Sequence, residues 1–225
     1  MAREKAVCLV SGGIDSPVAC AMTAENFDVI PLHFCLYPFA SEESSLRAVR
    51  ILEELKEEIE FEKVIVFPWA GILKVIRSEI EDQHACVACR KSMLHAAEAV
   101  CGREKASGIV TGESLGQKAS QTLSNINATS FGIEYPILRP LLGLDKNEII
   151  TRSKKLGIWH AQHAGCCLAT PQGPKTKSDP QEVNGKLKKI RLPNLIQEGL
   201  NSSLELRTFE EDFEEYLFEI AGKFG

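Results

Sequence analysis

A glycine-rich segment near the start of the chain combines the residue types that bind phosphate. Its sequence, S-G-G-I-D-S at positions 11–16, follows an apolar run that predicts a buried strand and precedes a run that predicts a helix. Backbone N–H groups and the positive end of the helix dipole meet at such a junction, so an anion is stabilised there. Gly12 and Gly13 let the backbone close around a phosphate. We expect Ser16 to cap the helix and Pro17 to be its first residue.

An acid inside this S-G-G-I-D-S loop separates it from better-known phosphate loops. The loop lacks the Gly-Lys-Ser/Thr ending of a Walker A loop and the G-x-G-x-x-G spacing of dinucleotide-binding turns. A bare carboxylate at Asp15 would repel phosphate, so we expect Mg2+ to bridge the two. The loop resembles the PP-loop, S-G-G-x-D-S, of ATP pyrophosphatases, and the resemblance implies cleavage of ATP between its α and β phosphates. The alternative is an ordinary strand-to-helix turn that carries two glycines.

Four of the eight cysteines form a second candidate site. Cys86 and Cys89 make a C-x-x-C motif that we expect just before a helix, and Cys166 and Cys167 are neighbours far along the chain. A C-x-x-C motif alone fits a redox pair, a metal site or coincidence. Thiolates gathered from two loops would form a soft site that suits zinc or an iron–sulfur cluster. The other four cysteines fall in apolar patterns and are expected in the core: Cys8, Cys20, Cys35 and Cys101.

The elements that must position these residues alternate between strand and helix. This alternation predicts an α/β fold with a doubly wound, mainly parallel sheet and a small C-terminal helical appendage, including a helix over residues 210–223. Ligands bind at the carboxyl ends of the strands of such a sheet, where the S-G-G-I-D-S loop would lie. The helix that contains Ile72 is expected to end near His84. The strand patterns lie at positions 6–10, 29–34, 64–67 and 108–112.

Three sequence segments together carry a resemblance to one family. In order along the chain they are S-G-G-I-D-S-P-V-A, G-E-S-L-G-Q-K-A-S-Q-T and R-P-L-L-G-L-D-K-N-E-I-I. They resemble the catalytic domain of ThiI, the family of tRNA 4-thiouridine synthetases, over residues 5–177. The resemblance implies the PP-loop fold, similar to that of the adenine nucleotide alpha hydrolases, and the activity of an ATP-dependent tRNA sulfurtransferase.

The reaction that the resemblance implies has two steps. Uridine O4 attacks the α-phosphate of ATP in the presence of Mg2+, and pyrophosphate leaves. Sulfur then attacks C4 and displaces AMP. The implied partners are tRNA and a sulfur donor. The alternatives are another PP-loop enzyme, similar to a queuosine-precursor synthase, and a non-catalytic subunit that only binds ATP.

The resemblance also implies roles for individual residues. Asp15 would lie near the metal and act in catalysis, and Cys167 would be the catalytic cysteine, with Cys166 as the alternative. Cys86, Cys89 and Cys167 would hold an iron–sulfur cluster whose open iron delivers sulfide, and Zn2+ held by all four cysteines is the alternative. The implied contacts to ATP are Ser11, Gly12, Gly13, Asp15, Ser16, Gly112, Gln117, Ser120, Gln121, Thr122, Arg139 and Lys146.

Composition and charge predict where the protein works and how the chain is organised. The 225 residues carry a net charge of −5 and contain no apolar run as long as a transmembrane helix, so we expect a cytoplasmic protein without membrane contact. We expect a catalytic domain over residues 1–177 and an extension over residues 178–225, in which a basic segment that could contact tRNA precedes an acidic helix. ThiI proteins also carry a THUMP domain and often a rhodanese domain. We expect both to be absent here, with a separate tRNA-binding protein as partner, and the acidic helix could support a homodimer.

Overall fold

The computed structural model describes residues 3–116, 121–160, 167, 173 and 175–207. Within these residues, six strands form one sheet in the order β5-β4-β1-β2-β3-β6. The strands are β1 (Lys5–Leu9), β2 (Asp28–Cys35), β3 (Val64–Pro68), β4 (Gly108–Val110), β5 (Ile137–Leu138) and β6 (Leu204–Leu206). The helices are α1 (Asp15–Ala24), α2 (Glu42–Glu58), α3 (Ala70–Glu79), α4 (Asp82–Glu104), α5 (Leu123–Ser130), α6 (Lys146–Lys155), α7 (Pro180–Lys189) and α8 (Leu192–Asn201).

The order of the strands creates a switch point beside β1. The chain runs from β1 outward to β2 and β3, and then returns to place β4 on the other side of β1. All of these pairs are parallel, and only the pairing of β6 with β3 is antiparallel among the pairs described. A crevice for ligands opens at such a reversal, outside the carboxyl ends of the strands. The predicted doubly wound, mainly parallel α/β fold is therefore confirmed, and the S-G-G-I-D-S loop lies at the switch point.

Apolar side chains cover both faces of the sheet, as a parallel sheet requires. On one face, Val7 and Ile65 pack with residues of α3, α4, α7 and α8. On the other face, Cys8 and Val66 pack with residues of α1, α2 and α6. The four cysteines that were predicted in the core are all buried: Cys8, Cys20, Cys35 and Cys101.

The start of α1 differs from the prediction. The helix begins at Asp15 with Ile14 at the N-cap, and Ile14 makes no side-chain cap hydrogen bond. Ser16 is therefore not the cap, and Pro17 is the third helical residue rather than the first. The reason is that the Ser16 hydroxyl is used elsewhere: it accepts a hydrogen bond from the backbone N–H of Ser11 at 2.8 Å. The side chain that was predicted to cap the helix closes the loop instead.

The region before the C-x-x-C motif also differs from the prediction. Helix α3 ends at Glu79 and α4 begins at Asp82, so no helix ends near His84, which lies inside α4. The C-x-x-C motif lies within α4 rather than before it. The break is produced by Ile80 and Glu81, whose backbones are extended. Apolar residues on both sides of Ile80 and Glu81 recur at helical spacing, so the sequence pattern does not reveal that the helix is broken between α3 and α4.

Residues beyond 177 contribute to the same sheet and core. Strand β6 pairs with β3, and α7 and α8 bury Val183, Leu187 and Ile196 against α3 and α4. The division of the chain after residue 177 stays a prediction, and the helix expected over residues 210–223 lies outside the described residues. None of the described helices is both long enough and apolar enough to span a membrane.

Candidate active site

The S-G-G-I-D-S loop is closed by hydrogen bonds between its two ends. The Ser11 and Ser16 hydroxyl oxygens lie 3.0 Å apart, and the backbone N–H of Gly13 donates to the Ser11 hydroxyl at 3.4 Å. Together with the bond from the Ser11 N–H to Ser16, these contacts tie the end of β1 to the first turn of α1. The loop therefore places the N-terminus of α1, with its unpaired N–H groups and positive dipole, at the switch point.

The segment after β4 presses directly against this loop. A Cβ atom at Gly112 would lie 2.6 Å from both the Cα and the N of Ser16, and 2.9 Å from the carbonyl carbon of Asp15. All three are backbone atoms, which cannot move aside as the end of a side chain can. Gly112 is thus required for the approach of the two segments that form the edge of the crevice.

A lysine from α6 reaches the acid of the loop. The Lys146 ammonium lies 2.7 Å from Oδ1 of Asp15. Asp145, just before it, accepts hydrogen bonds from the backbone N–H groups of Asn147 and Glu148 and caps α6. This cap fixes Lys146 in the first turn of α6, beside the loop. The predicted site residues Asp15 and Lys146 are therefore in contact.

A buried carboxylate joins two arginines next to the loop. Glu113 is 3% exposed. Its Oε1 accepts from Arg90 Nη2 at 2.6 Å, and its Oε2 accepts from Arg139 Nε at 2.6 Å and from the Thr111 hydroxyl at 3.1 Å. Burial alone would raise the pKa of Glu113, but the two guanidinium groups outweigh burial and hold the pKa below its usual value.

Sequence reasoning named Arg139 but missed Arg90 and Glu113. Arg139 donates to Glu113 and to the Ser130 hydroxyl rather than to the loop. Two weak signals were available: Glu113 is an acid at the end of a buried strand, within the G-E-S-L-G-Q segment, and Arg90 directly follows the C-x-x-C motif. Neither signal shows that the two residues meet.

One cavity of about 380 Å³ is lined both by the loop and by Cys167. Its wall includes the loop, the segment 111–113, the side chains of Arg90 and Gln121, and Cys167. Predicted site residues that line it are Ser11, Gly12, Gly13, Asp15, Ser16, Gly112, Gln121 and Cys167. Thr122 caps α5 and donates to the Thr176 carbonyl at 2.6 Å. Gln117, Ser120 and Cys166 lie outside the described residues.

The thiols of Cys86, Cys89 and Cys167 are close enough to affect one another. Cys86 and Cys89 lie one turn apart on α4. Burial raises the pKa of Cys89 to about 12, a hydrogen bond from the Trp69 indole N–H at 3.2 Å opposes this rise, and Cys167 and Cys86 add to it. Burial and then Cys167 raise the pKa of Cys86. Among the described residues, no three His, Cys, Asp or Glu side chains are arranged around a single metal ion.

The arrangement suits a reaction in which an anionic group and a sulfur atom meet. The loop supplies N–H groups and a carboxylate, and Lys146 of α6 supplies an ammonium, for phosphate and its counterion. Cys167 and the positively charged Arg90 line the same cavity. The cavity is large enough for a bound small molecule.

Comparison with known proteins gives one family. The family model described as "Thiamine biosynthesis protein (ThiI)" matches residues 1–192. A "Probable tRNA sulfurtransferase" of Methanothermobacter thermautotrophicus is 38% identical over 213 residues, which are 92% of this chain and 54% of that protein. A "Probable tRNA sulfurtransferase" of Moorella thermoacetica is 34% identical, again over 92% of this chain and 54% of that protein. The chain thus spans about half the length of the curated relatives it matches.

Solved structures agree on the fold. The chain is similar to a 4-thiouridine synthetase in complex with RNA and bound ATP, with a TM-score of 0.80 and 29% identity, over 90% of this chain and 54% of that one. It also shares the fold of the U34-tRNA thiolase NcsA from Methanococcus maripaludis, which was solved with its 4Fe-4S cluster. That likeness has a TM-score of 0.52 and 17% identity, over 88% of this chain and 74% of that one.

Proposed function

The chain belongs to the ThiI family, and from that premise we propose that it is an ATP-dependent sulfurtransferase acting on tRNA. It adenylates a uridine oxygen, releases pyrophosphate, and then replaces the oxygen with sulfur, releasing AMP. One observation carries the proposal: the S-G-G-I-D-S loop and Cys167 line the same cavity, so an activated oxygen and an incoming sulfur can meet there. The relatives named tRNA sulfurtransferase and the RNA-bound synthetase support the choice of substrate.

The first step uses the loop end of the cavity. Backbone N–H groups at the start of α1 would hold phosphate oxygens of ATP, and Gly112 lets the segment after β4 approach the loop, so that the two segments together form one side of the proposed nucleotide site. Gln121 also lines the cavity and can donate hydrogen bonds to the nucleotide. Uridine O4 then attacks the α-phosphorus, and the bond to the pyrophosphate oxygen breaks. We also propose Ser11, Gly12, Gly13, Ser16, Gln117, Ser120, Thr122 and Arg139 as nucleotide-site residues.

The residues at the loop fit a magnesium ion. Mg2+ in phosphate sites is held by one or two carboxylates together with phosphate oxygens, and Asp15 offers such a carboxylate beside the anion-binding N–H groups. When bound, Mg2+ would neutralise phosphate charge. Lys146, which already contacts Asp15, would keep the carboxylate oriented and add a second positive charge near the phosphates.

The second step uses the cysteine end of the cavity. We propose Cys167 as the residue that presents sulfur, with Cys166 as the alternative, and Cys86, Cys89 and Cys167 as ligands of an iron–sulfur cluster. The chemistry of three neighbouring thiols suits such a group. A bound cluster would supply an iron atom that no protein thiol coordinates.

Basic residues of α7 offer a surface for the tRNA backbone. Lys188, Lys189 and Arg191 are exposed along and just beyond this helix. Contacts of this kind bind phosphates without reading sequence, and their affinity falls steeply with salt. A sulfur donor, a separate tRNA-binding protein and a homodimer stay predictions from the sequence.

The role of the loop is tested by Asp15→Asn, with Asp28→Asn as the matched control. Asp28 is exposed and is the first residue of β2, so it lies at the end of the strands opposite to the loop. Release of pyrophosphate from ATP in the presence of tRNA should fall by about 10²–10³-fold in Asp15→Asn, because an electrostatic contact to the reacting phosphates is lost. The Asp28→Asn protein should keep the wild-type rate. Unchanged release in Asp15→Asn would refute the assigned role.

The sulfur site is tested by metal analysis and by two cysteine variants. Protein purified without oxygen should contain iron and acid-labile sulfide, and both should be lost in Cys89→Ala. A colourless protein with one zinc per chain would contradict the cluster. Thiolation should be abolished in Cys167→Ser and retained in Cys166→Ser, and the reverse result would move the catalytic role to Cys166.

A further inference from the structure

A groove of about 460 Å³ lies where α4, α7 and α8 meet. Among the described residues, it shares no lining residue with the cavity of the candidate active site. Apolar side chains from all three helices line it: Ala99, Leu187, Leu192, Pro193 and Ile196. Asn184 and Lys188 of α7 line it as well. Apolar grooves between helices are surfaces on which an amphipathic helix can dock, with its apolar side chains as anchors.

The sequence after the described residues has the pattern of such a helix. Residues 208–225, here called the C-terminal segment, follow Arg207. Apolar residues recur in it at the helical spacing i, i+4, i+7, i+8, i+11 and i+15: Phe209, Phe213, Tyr216, Leu217, Ile220 and Phe224. This spacing predicts one apolar face, and six acids fall on the other side of the predicted helix: Glu210, Glu211, Asp212, Glu214, Glu215 and Glu219. A helix of this length is marginally stable alone in water, so it needs an apolar surface to pack against.

The chain leaves the described fold beside α8. Helix α8 directly precedes β6 and packs on β3, where Gly199 lies against the ring of Phe67. Strand β6 pairs with the same strand and leads to Arg207. A helix over residues 210–223 would be about 21 Å long, and α8 is about 15 Å long. The C-terminal segment is therefore long enough to run back along α8 to the groove.

The charges beside the groove complement those of the C-terminal segment. Lys188, Lys189 and Arg191 are exposed, and the ion pairs of the described part of the chain include none of the three. Lys186 of the same helix, in contrast, pairs with Glu81 at 2.7 Å. The six acids of the C-terminal segment would supply the counter-charges that α7 lacks on this side. The family model ends at residue 192, so it covers no part of this segment.

We propose that the C-terminal segment docks in the groove of its own chain, with its apolar face against Leu187, Leu192 and Ile196, and that its acids cover Lys188, Lys189 and Arg191. The docked segment then competes with tRNA, because it occupies cations that would contact the phosphate backbone. The competition rests on the function proposed above, whereas the docking does not.

Hydrogen exchange on the full-length chain tests the docking. Amides of residues 213–220 should exchange about 10–100-fold faster in Ile220→Asp than in the wild type, because a buried apolar anchor is lost. Phe218→Asp is the matched control: it adds the same charge on the opposite side of the predicted helix, and the amides should stay protected. Ala99→Arg blocks the groove from α4 and should release the segment as Ile220→Asp does. Equal exchange in the wild type and Ile220→Asp, or full protection in Ala99→Arg, would overturn the docking.

Cross-linking shows which chain supplies the segment. A carbodiimide joins a carboxylate to a neighbouring amine with loss of water, so it should link acids of the C-terminal segment to Lys188 or Lys189. Isotopically light and heavy chains are refolded together, cross-linked and analysed by mass spectrometry. The proposal expects links within one chain. Links between light and heavy chains would assign the groove to a second copy and overturn the proposal.

Binding of a tRNA transcript tests the competition. Releasing the segment in Ile220→Asp frees three cations, so the slope of log affinity against log salt should become steeper by about 2. Phe218→Asp should keep the wild-type slope. An unchanged slope in Ile220→Asp protein that has lost amide protection would overturn the competition. If the wild type forms no thiolated RNA but the protection and the change of slope are found, the proposed function fails and this inference stands.

Discussion

Gly112 lies in the segment after β4, which packs against the S-G-G-I-D-S loop. Replacing it by alanine should distort this loop. The new Cβ would lie 2.6 Å from the Cα and the N of Ser16, whereas carbon atoms in contact are normally about 3.5–4.0 Å apart. The neighbouring atoms belong to the backbone of α1, so no change of side-chain rotamer relieves the clash. The segment after β4 and the first turn of α1 must therefore separate by about 1 Å.

The cost of this separation can be worked out from its two consequences. Overpacking of a well-packed site costs about 1–3 kcal/mol in the free energy of unfolding. In urea this corresponds to a midpoint lower by about 0.5–1.5 M, taking a slope of about 2 kcal/mol per M, the middle of the range for small proteins. A misplacement of about 1 Å in groups that position a substrate can cost about 10²-fold in rate. Gly112→Ala should thus lose both stability and pyrophosphate release.

The matched control is Gly185→Ala on the exposed side of α7. A Cβ there meets nothing within 4 Å, and alanine in a helix is favoured over glycine by about 0.5–1 kcal/mol. The two glycine variants should therefore shift the urea midpoint in opposite directions, and Gly185→Ala should keep the wild-type rate of pyrophosphate release. A Gly112→Ala protein with an unchanged midpoint and an unchanged rate would refute the close approach of the two segments.

Three further predictions concern residues around the site. Burial lowers the pKa of His33, so below pH 6.5 the His33 side chain is protonated in the unfolded chain while it stays neutral in the folded chain. The free energy of unfolding should then fall by up to about 1.4 kcal/mol per pH unit, and His33→Asn should flatten this slope in urea titrations. Lys91→Met leaves two carbonyl groups at the end of α5 without their buried donor, and should lower the free energy of unfolding by about 1–3 kcal/mol. The Asn125 side chain donates a hydrogen bond to the Lys175 carbonyl and accepts one from the Ser178 N–H. Asn125→Ala should therefore speed cleavage by trypsin in the segment from Lys175 to Ser178.

The loop could be predicted from the sequence because its signal is local. Strand, glycines, acid and helix follow one another within 20 residues, and the structure puts them at the predicted edge of the sheet. The detail of the helix start could not be predicted. Ser16 has the right residue type for a cap, and only the three-dimensional loop reveals that its hydroxyl bonds to Ser11.

The charged part of the site could not be predicted, because its members are distant in sequence. Glu113 is 23 residues from Arg90 and 26 from Arg139, and an ion pair leaves no periodic pattern. Sequence reasoning therefore identified one arginine of the group and missed the one that faces the cavity. The pairing of β6 with β3 could not be predicted either, because β6 has only three residues and lies far from β3 in the sequence.

The most direct test of the central claim follows the uridine oxygen. Wild-type protein is incubated with ATP, Mg2+, sodium sulfide and a tRNA transcript whose uridines carry heavy oxygen at O4, and the products are analysed by mass spectrometry. The account predicts 4-thiouridine and an equal amount of AMP that carries the heavy oxygen in its phosphate. AMP without the label, or labelled uridine that persists while ATP is consumed, would contradict adenylation of the uridine oxygen and its replacement by sulfur.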